Sequence, residues 1–325
     1  MREIPLIEHR IGYSRRSGAL HAVTKVVARP TLRWFPLRGP AARLIPLLEL
    51  SAKRLPRGSA TRHRVVTARS WRGELVTPVD GVTSDGAVLY LHGGAFLLGG
   101  LGTHRRIVER LTRETGMPVL CVDYRKLPGS RLENSVSDCE DAFRWLVRTG
   151  HPTSRIAVVG DSAGGHLAFA TALRLRDDGA GTPAGIVAMS PWLDFDHRTR
   201  VQHPNAVRDA YIPARRMRRV AEMVLGCIPE EYHSPINADL HGLPPTLLLC
   251  AESEVLRLDS ERMAERLSEA GVPVTLQVWE GQIHAFPVLC DLTPESLAAC
   301  QEVEQFIRTA VVGSTAPRPT LDTAA

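Results

Sequence analysis

The chain has 325 residues, 44% of them hydrophobic, 23% charged and 5% aromatic, with a formal net charge of +5. That composition supplies a large core and excludes collagen-like, coiled-coil and wholly disordered chains, and no stretch approaches the roughly 18 apolar residues of a membrane span. The positive excess is scattered arginine without interleaved aromatics, lysine occurring only at Lys25, Lys53 and Lys126, which argues against nucleic acid.

Residues 1–60 mix apolar and arginine residues with six prolines and read as an N-terminal cap segment rather than the start of the core. Their first ten residues carry no signal-peptide h-region. An apolar stripe of Leu44, Leu47, Leu48 and Leu55 predicts a short amphipathic helix. From residue 61 the pattern changes to that of a main domain running to 311. Arg64-Val65-Val66-Thr67 and Glu74-Leu75-Val76-Thr77 read as an antiparallel edge pair. Ala87-Val88-Leu89-Tyr90-Leu91 is a continuous apolar run, as a buried parallel strand should be.

Strand and helix signals then alternate. Strands are expected at 119–122, 156–159, 186–189, 246–250 and 274–278, and helices at 135–148, 164–176, 260–270 and 294–310. Between them, residues about 197–235 form an arginine-rich insertion without clear strands. Residues 312–325 are low in apolar bulk and read as a disordered tail. The alternation implies βαβ units, and so an α/β fold with a mainly parallel central sheet flanked by helices.

The strongest chemical signal is Gly160-Asp161-Ser162-Ala163-Gly164-Gly165, a G-x-S-x-G sequence between a predicted strand and a predicted helix. A sharp strand-to-helix turn needs small neighbours and lifts the Ser162 hydroxyl above the carboxyl end of the sheet. It also aims the Ala163 N–H, at the helix N-terminus, toward developing negative charge. Upstream, His92-Gly93-Gly94-Ala95-Phe96 follows another strand, where glycines let main-chain N–H groups approach an oxyanion; His92 reads as a loop-holding residue.

A serine nucleophile needs a base, and the base an orienting carboxylate. His166 points away from the serine on helix geometry, and His197, His203, His233 and His241 fall in or beside the insertion. His284, in the loop after the last strand, lies at the same edge as Ser162 and is the expected base. The acid belongs in the loop after strand 246–250, where Glu252, Glu254 and Asp259 all qualify by chemistry.

These motifs, with Asp123-Tyr124-Arg125, Ser190-Pro191-Trp192 and His284-Ala285-Phe286, resemble the hormone-sensitive-lipase-like family of α/β-hydrolases over roughly residues 88–306. The resemblance implies a catalytic Ser162–His284 pair and favours Glu254 as the acid, with Asp259 the alternative. Where that family carries Asp-Pro-Leu, this chain has Glu254-Val255-Leu256. The resemblance also implies an oxyanion hole from the N–H groups of Gly93, Gly94 and Ala163, with the N–H of Ala95, which stands where a third glycine is usual, as a further candidate donor. The N-terminal segment and the insertion would form a helical cap over the site.

The expected activity is that of a serine carboxylesterase acting on short- to medium-chain esters, with no cofactor and no metal. A lactone hydrolase, amidase or acyltransferase would use the same triad and differ only in pocket shape and water access. A ligand-binding relative without activity would lack a triad member. The six cysteines, Cys121, Cys139, Cys227, Cys250, Cys290 and Cys300, contain no CxxC pair and are expected as buried thiols in a soluble, cytoplasmic protein. Self-association stays open. Arg215, Arg216, Arg218 and Arg219 read as a solvated cap face, with contact to a membrane surface or acidic partner as the alternative.

Overall fold

The computed structural model describes residues 5–34, 49, 51–52, 54, 56–226 and 234–313. Nine strands form one sheet: β1 (Leu6–Arg10), β2 (Thr61–Thr67), β3 (Arg72–Pro78), β4 (Ala87–Leu91), β5 (Val119–Asp123), β6 (Ile156–Asp161), β7 (Gly185–Met189), β8 (Thr246–Ala251) and β9 (Val274–Trp279). Their spatial order is β1-β9-β8-β7-β6-β4-β5-β3-β2. All neighbours pair in parallel except β2 with β3 and β3 with β5. The carboxyl ends of β4, β6, β7, β8 and β9 therefore share one edge.

Side chains alternate across a strand, so each central strand feeds two cores. In β6, Ile156 and Val158 face the helices Leu132–Arg148, Ala163–Asp177 and Arg257–Glu269. Ala157 and Val159 face the helices Arg105–Thr115 and Pro294–Gly313. Every residue of β4, β6, β7 and β8 is buried. Each large apolar side chain so buried stabilises by about 1.5–3 kcal/mol, which gives the carboxyl edge a stiff base.

The N-terminal segment departs from expectation. Leu6–Arg10 is not part of a cap but the edge strand β1, its register running from Leu6 opposite Thr275 to Arg10 opposite Trp279. A helical stretch follows, Arg15–Val23, Thr24–Ala28 and Arg29–Trp34, the middle part a π-helix. The stripe of Leu44, Leu47, Leu48 and Leu55 lies outside the described residues, as do His233 and Cys227. In the insertion, three helices stand where no strand was expected: Arg198–Gln202, Asn205–Arg208 and Ala214–Leu225. The Arg29 guanidinium donates to the carbonyls of Ala206 and Val207, joining the N-terminal helices to the insertion. Val312 and Gly313 end the last helix, and 314–325 lie outside the described residues.

Candidate active site

Ser162 occupies a turn between β6 and the helix Ala163–Asp177, with φ +52° and ψ −117°. A left-handed non-glycine residue is costly, of order 1–3 kcal/mol, and persists only where the surroundings over-determine it. Here the Ser162 N–H donates to the Met189 carbonyl at 2.8 Å, and the Ser162 carbonyl accepts from Trp192 N–H at 3.1 Å. A side chain at Gly164 would strike the Leu91 carbonyl, so only glycine lets the helix start this close to β4. The serine stays 8% exposed at the edge of the sheet.

The expected base and acid meet. His284 Nδ1 lies 2.7 Å from Glu254 Oε2, and Glu254 Oε1 accepts the Ala251 N–H at 3.0 Å. That pairing makes Nδ1 the donor and leaves Nε2 as the basic nitrogen. Burial lowers the His284 pKa, but the hydrogen bond and charge of Glu254 outweigh it, so the net shift is upward from 6.5. The loop after β7 ties this pair to the elbow. Ser190 Oγ accepts the Ala285 N–H at 2.9 Å, while Trp192 holds the Ser162 carbonyl.

The insertion also clasps the acid loop, which sequence reasoning missed. Asn205 Nδ2 donates to the carbonyls of Glu252 (2.9 Å) and Glu254 (3.0 Å). Asp209, 1% exposed, accepts Val255 N–H on Oδ2 and the N–H groups of Tyr211 and Ile212 on Oδ1. Burial pushes the Asp209 carboxyl upward, against the opposing pull of those donors and of His284. The Tyr211 ring lies nearly parallel to His284, with centroids 6.0 Å apart. An acidic residue followed two positions on by an aromatic was visible in the insertion, but nothing local marked its reach to β8.

Asp259 is elsewhere. Both its oxygens accept from Arg200, at 2.7 and 2.9 Å, and Oδ2 also takes the N–H groups of Leu193 and Asp194. Those contacts make it an anchor for the loop after β7, whereas the carboxylate bonded to His284 is that of Glu254. Glu252 is exposed. Of the other histidines, His166 is buried against the Trp192 carbonyl, and burial brings its pKa down to about 4.

In the His92 loop one expected donor is otherwise engaged. Gly93 N–H donates to Asp161 Oδ1 at 3.0 Å, an oxygen that also accepts from the Tyr90 hydroxyl. This amide cannot face an oxyanion, which corrects its place in the expected donor set. The amides of Gly94, Ala95 and Ala163 have no protein acceptor among the described residues. Gly94 adopts φ +126°, open only to glycine, and Ala95 follows at φ +54°. Thus alanine in the third position keeps a left-handed backbone at some strain. His92 holds the loop as expected: Nδ1 meets the Gly93 carbonyl at 2.7 Å and its ring stacks on Tyr124 at 4.4 Å.

Asp161 has a further partner that the sequence did not announce. His104 Nε2 lies 3.4 Å from its carboxylate. Burial raises the Asp161 pKa, yet His104 and the surrounding donors hold it below its ordinary value. Burial likewise lowers His104, and Asp161 more than restores it. The oxyanion loop is thus pinned from behind by a fixed negative charge.

A family model described as alpha/beta hydrolase fold matches residues 88–288. The chain belongs to the alpha/beta hydrolase family. Among curated relatives of this hydrolase is Esterase LipU of Mycobacterium tuberculosis, 39% identical over 79% of this chain and 89% of the relative. Carboxylesterase/phospholipase LipF of the same organism is 38% identical, over 79% of this chain and 72% of its own. An acetyl-hydrolase of Streptomyces hygroscopicus is 36% identical over 76% of this chain and 82% of its own. A solved esterase of the bacterial hormone-sensitive lipase (HSL) family superposes with a TM-score of 0.82 at 29% identity, covering 93% of this chain and all of that one. The hydrolase is a serine carboxylesterase of that hormone-sensitive-lipase-like kind. Among the described residues, no helix is long and apolar enough to cross a membrane.

Proposed function

We propose that this carboxylesterase hydrolyses short- to medium-chain esters through an acyl-enzyme on Ser162, with His284 as base and Glu254 as its orienting acid. The observation that carries the reading is the buried 2.7 Å contact between His284 Nδ1 and Glu254. With that nitrogen protonated and held, Nε2 takes the Ser162 proton as Oγ adds to the ester carbonyl. The negative oxygen that forms is received by the N–H groups of Gly94, Ala95 and Ala163, each donor contributing about 2.7–4 kcal/mol to such a transition state.

His284 then returns its proton to the departing alcohol, and the acyl group stays on Ser162. Water adds to the acyl-enzyme as His284 again accepts a proton, which it passes to Ser162 Oγ as the Ser162–acyl bond breaks and the acid leaves. No residue outside the chain is needed for either half. Kinship with an acetyl-hydrolase supports the short-chain preference. The helices before residue 35 and those of the insertion constitute the cap in this reading, and β2 through the last helix, with β1 added, the catalytic domain. A cytoplasmic location is supported by the five described cysteines, all free and buried.

The test is a p-nitrophenyl ester series from acetate to palmitate on wild type and Ser162→Ala in parallel. Turnover should peak at short chains and fall by about 10³-fold or more in the variant, with its circular dichroism unchanged. Retained turnover in Ser162→Ala would refute the assignment.

A further inference from the structure

The N-terminal helices and those of the insertion border an open groove of about 1240 Å³, lined by none of the residues assigned to catalysis. Its cations are Lys25, Arg29 and Arg33 from the N-terminal stretch and Arg215, Arg216 and Arg219 from the insertion. The acid among its lining residues is Glu222, whose carboxylate sits 3.3 Å from Arg218. Arg29 is held by two carbonyls, and Arg33 lies over the Trp34 ring. Neither contact neutralises a charge.

Lys25, Arg33, Arg215 and Arg219 are exposed and Arg29 and Arg216 half-buried, so their like charges sum to one positive face whose repulsion salt screens in part. Arg216 shows the consequence. Its Nη2 is buried without a hydrogen-bond partner, although a guanidinium carries five donors and rarely goes unpaired. Burial and the charge of Arg219 push its pKa below the ordinary arginine value. The rest of the wall is apolar, with Trp34, Val201, Val207 and Met223 among it, and Trp34 is 76% exposed.

We infer that this groove binds a single-chain anionic amphiphile, its phosphate or carboxylate head on Arg216 and Arg219 and its hydrocarbon along Trp34 and the valines. A planar guanidinium pairs two-pronged with either head group, and an arriving anion would relieve the repulsion among the exposed cations. The apolar wall would add about 25 cal/mol per Å² of chain removed from water. Its lining includes no member of the proposed triad, so binding there can be read apart from ester turnover. The two sites do share the short helix Asn205–Arg208: Ala206 and Val207 line the groove, while Asn205 grips the acid loop.

The experiment uses the full-length protein with dodecyl phosphate below its micellar concentration, followed by tryptophan fluorescence and calorimetry. Binding should be saturable, salt-sensitive and unchanged in Ser162→Ala. Arg216→Gln combined with Arg219→Gln should weaken it tenfold or more while leaving p-nitrophenyl acetate turnover within twofold, which shows the variant folded. Trp34→Phe should remove the fluorescence response but not the calorimetric one. Equal affinity for neutral dodecyl maltoside, or an undiminished affinity in the double variant, would overturn the charged half of the site. Inorganic phosphate binding as tightly as dodecyl phosphate would overturn the apolar half. Binding to phosphatidylglycerol vesicles without any binding of dodecyl phosphate would mean adsorption of a basic surface, and no groove site.

Discussion

The carboxyl edge of the sheet and the cap treat charge in opposite ways. At the sheet edge three buried carboxylates each have a basic partner: Glu254 has His284, Asp161 has His104 and Asp259 has Arg200. In the cap groove, cations of two segments converge on one space with a single acid among them, and that acid lies beside a further arginine. A compensated buried charge fixes geometry, because moving either partner leaves the other unpaired in a medium of low dielectric. An uncompensated cluster does the reverse and favours whatever anion arrives. The same arginine-rich composition therefore builds rigidity in one region and, by our inference, receptivity in the other.

The sharpest way to break this comparison is to remove single members of the compensated pairs. Glu254→Gln should lower kcat by about 10³–10⁴-fold, because the imidazole loses the partner that sets its tautomer and orientation. Asp259→Asn should instead destabilise the fold by about 3–5 kcal/mol, leaving Arg200 buried and uncompensated, while the folded fraction keeps its kcat. Chemical denaturation alongside steady-state kinetics separates the two. The opposite pattern would transfer the acid role to Asp259.

Asp209→Asn comes next. An amide cannot accept from all three N–H groups, so the acid loop should shift and kcat fall about 10–100-fold with KM nearly constant. The pH profile discriminates further. Catalysis needs neutral His284, whose pKa is raised above 6.5, so the acid limb of kcat/KM should have its midpoint above that value. Activity is then lost as pH falls through the raised midpoint. Asp209 contributes to that raising, so its variant should move the midpoint downward, as should Glu254→Gln, which leaves burial opposed by the charges of Asp209 and Asp161 without the larger effect of Glu254. A midpoint unmoved in both variants would contradict the assigned surroundings of His284.

The smallest effect belongs to the exposed cap. Arg218, paired only with Glu222 one helical turn on, lies largely in solvent. Arg218→Gln should change stability by no more than about 0.5 kcal/mol and leave ester turnover untouched. A larger loss in a thermal melt would show that the cap's charges are structural after all.

How far the sequence foretold this follows from the range of the forces involved. The central strands were legible because doubly covered strands read as unbroken apolar runs, Ala87–Leu91 being fully buried. The elbow was legible because its glycines answer a local steric demand. β1 was not: Leu6-Ile7-Glu8-His9-Arg10 is mostly exposed, and only the distant β9 makes it a strand. Likewise the loop after β8 offered several carboxylates of equal standing. Arg200, 59 residues before Asp259, decides between them, and no local pattern carries that information. Gly93 failed as a donor for the same reason, its amide belonging to Asp161 across the sheet edge.

The strand order has one more consequence. β1 lies at one border of the sheet and β2 at the other, with eight steps of about 4.8 Å between them. The chain from Arg10 to Thr61 must therefore bridge roughly 38 Å, leaving from the carboxyl edge where Arg10 sits. The N-terminal stretch is in effect a tether fastened at both rims of the molecule, not a flap hinged at one. The helices over residues 15–34 are thereby tied to one rim through β1 and to the insertion through Arg29, and a protease cut at Tyr13 would release the first of these ties and leave the second.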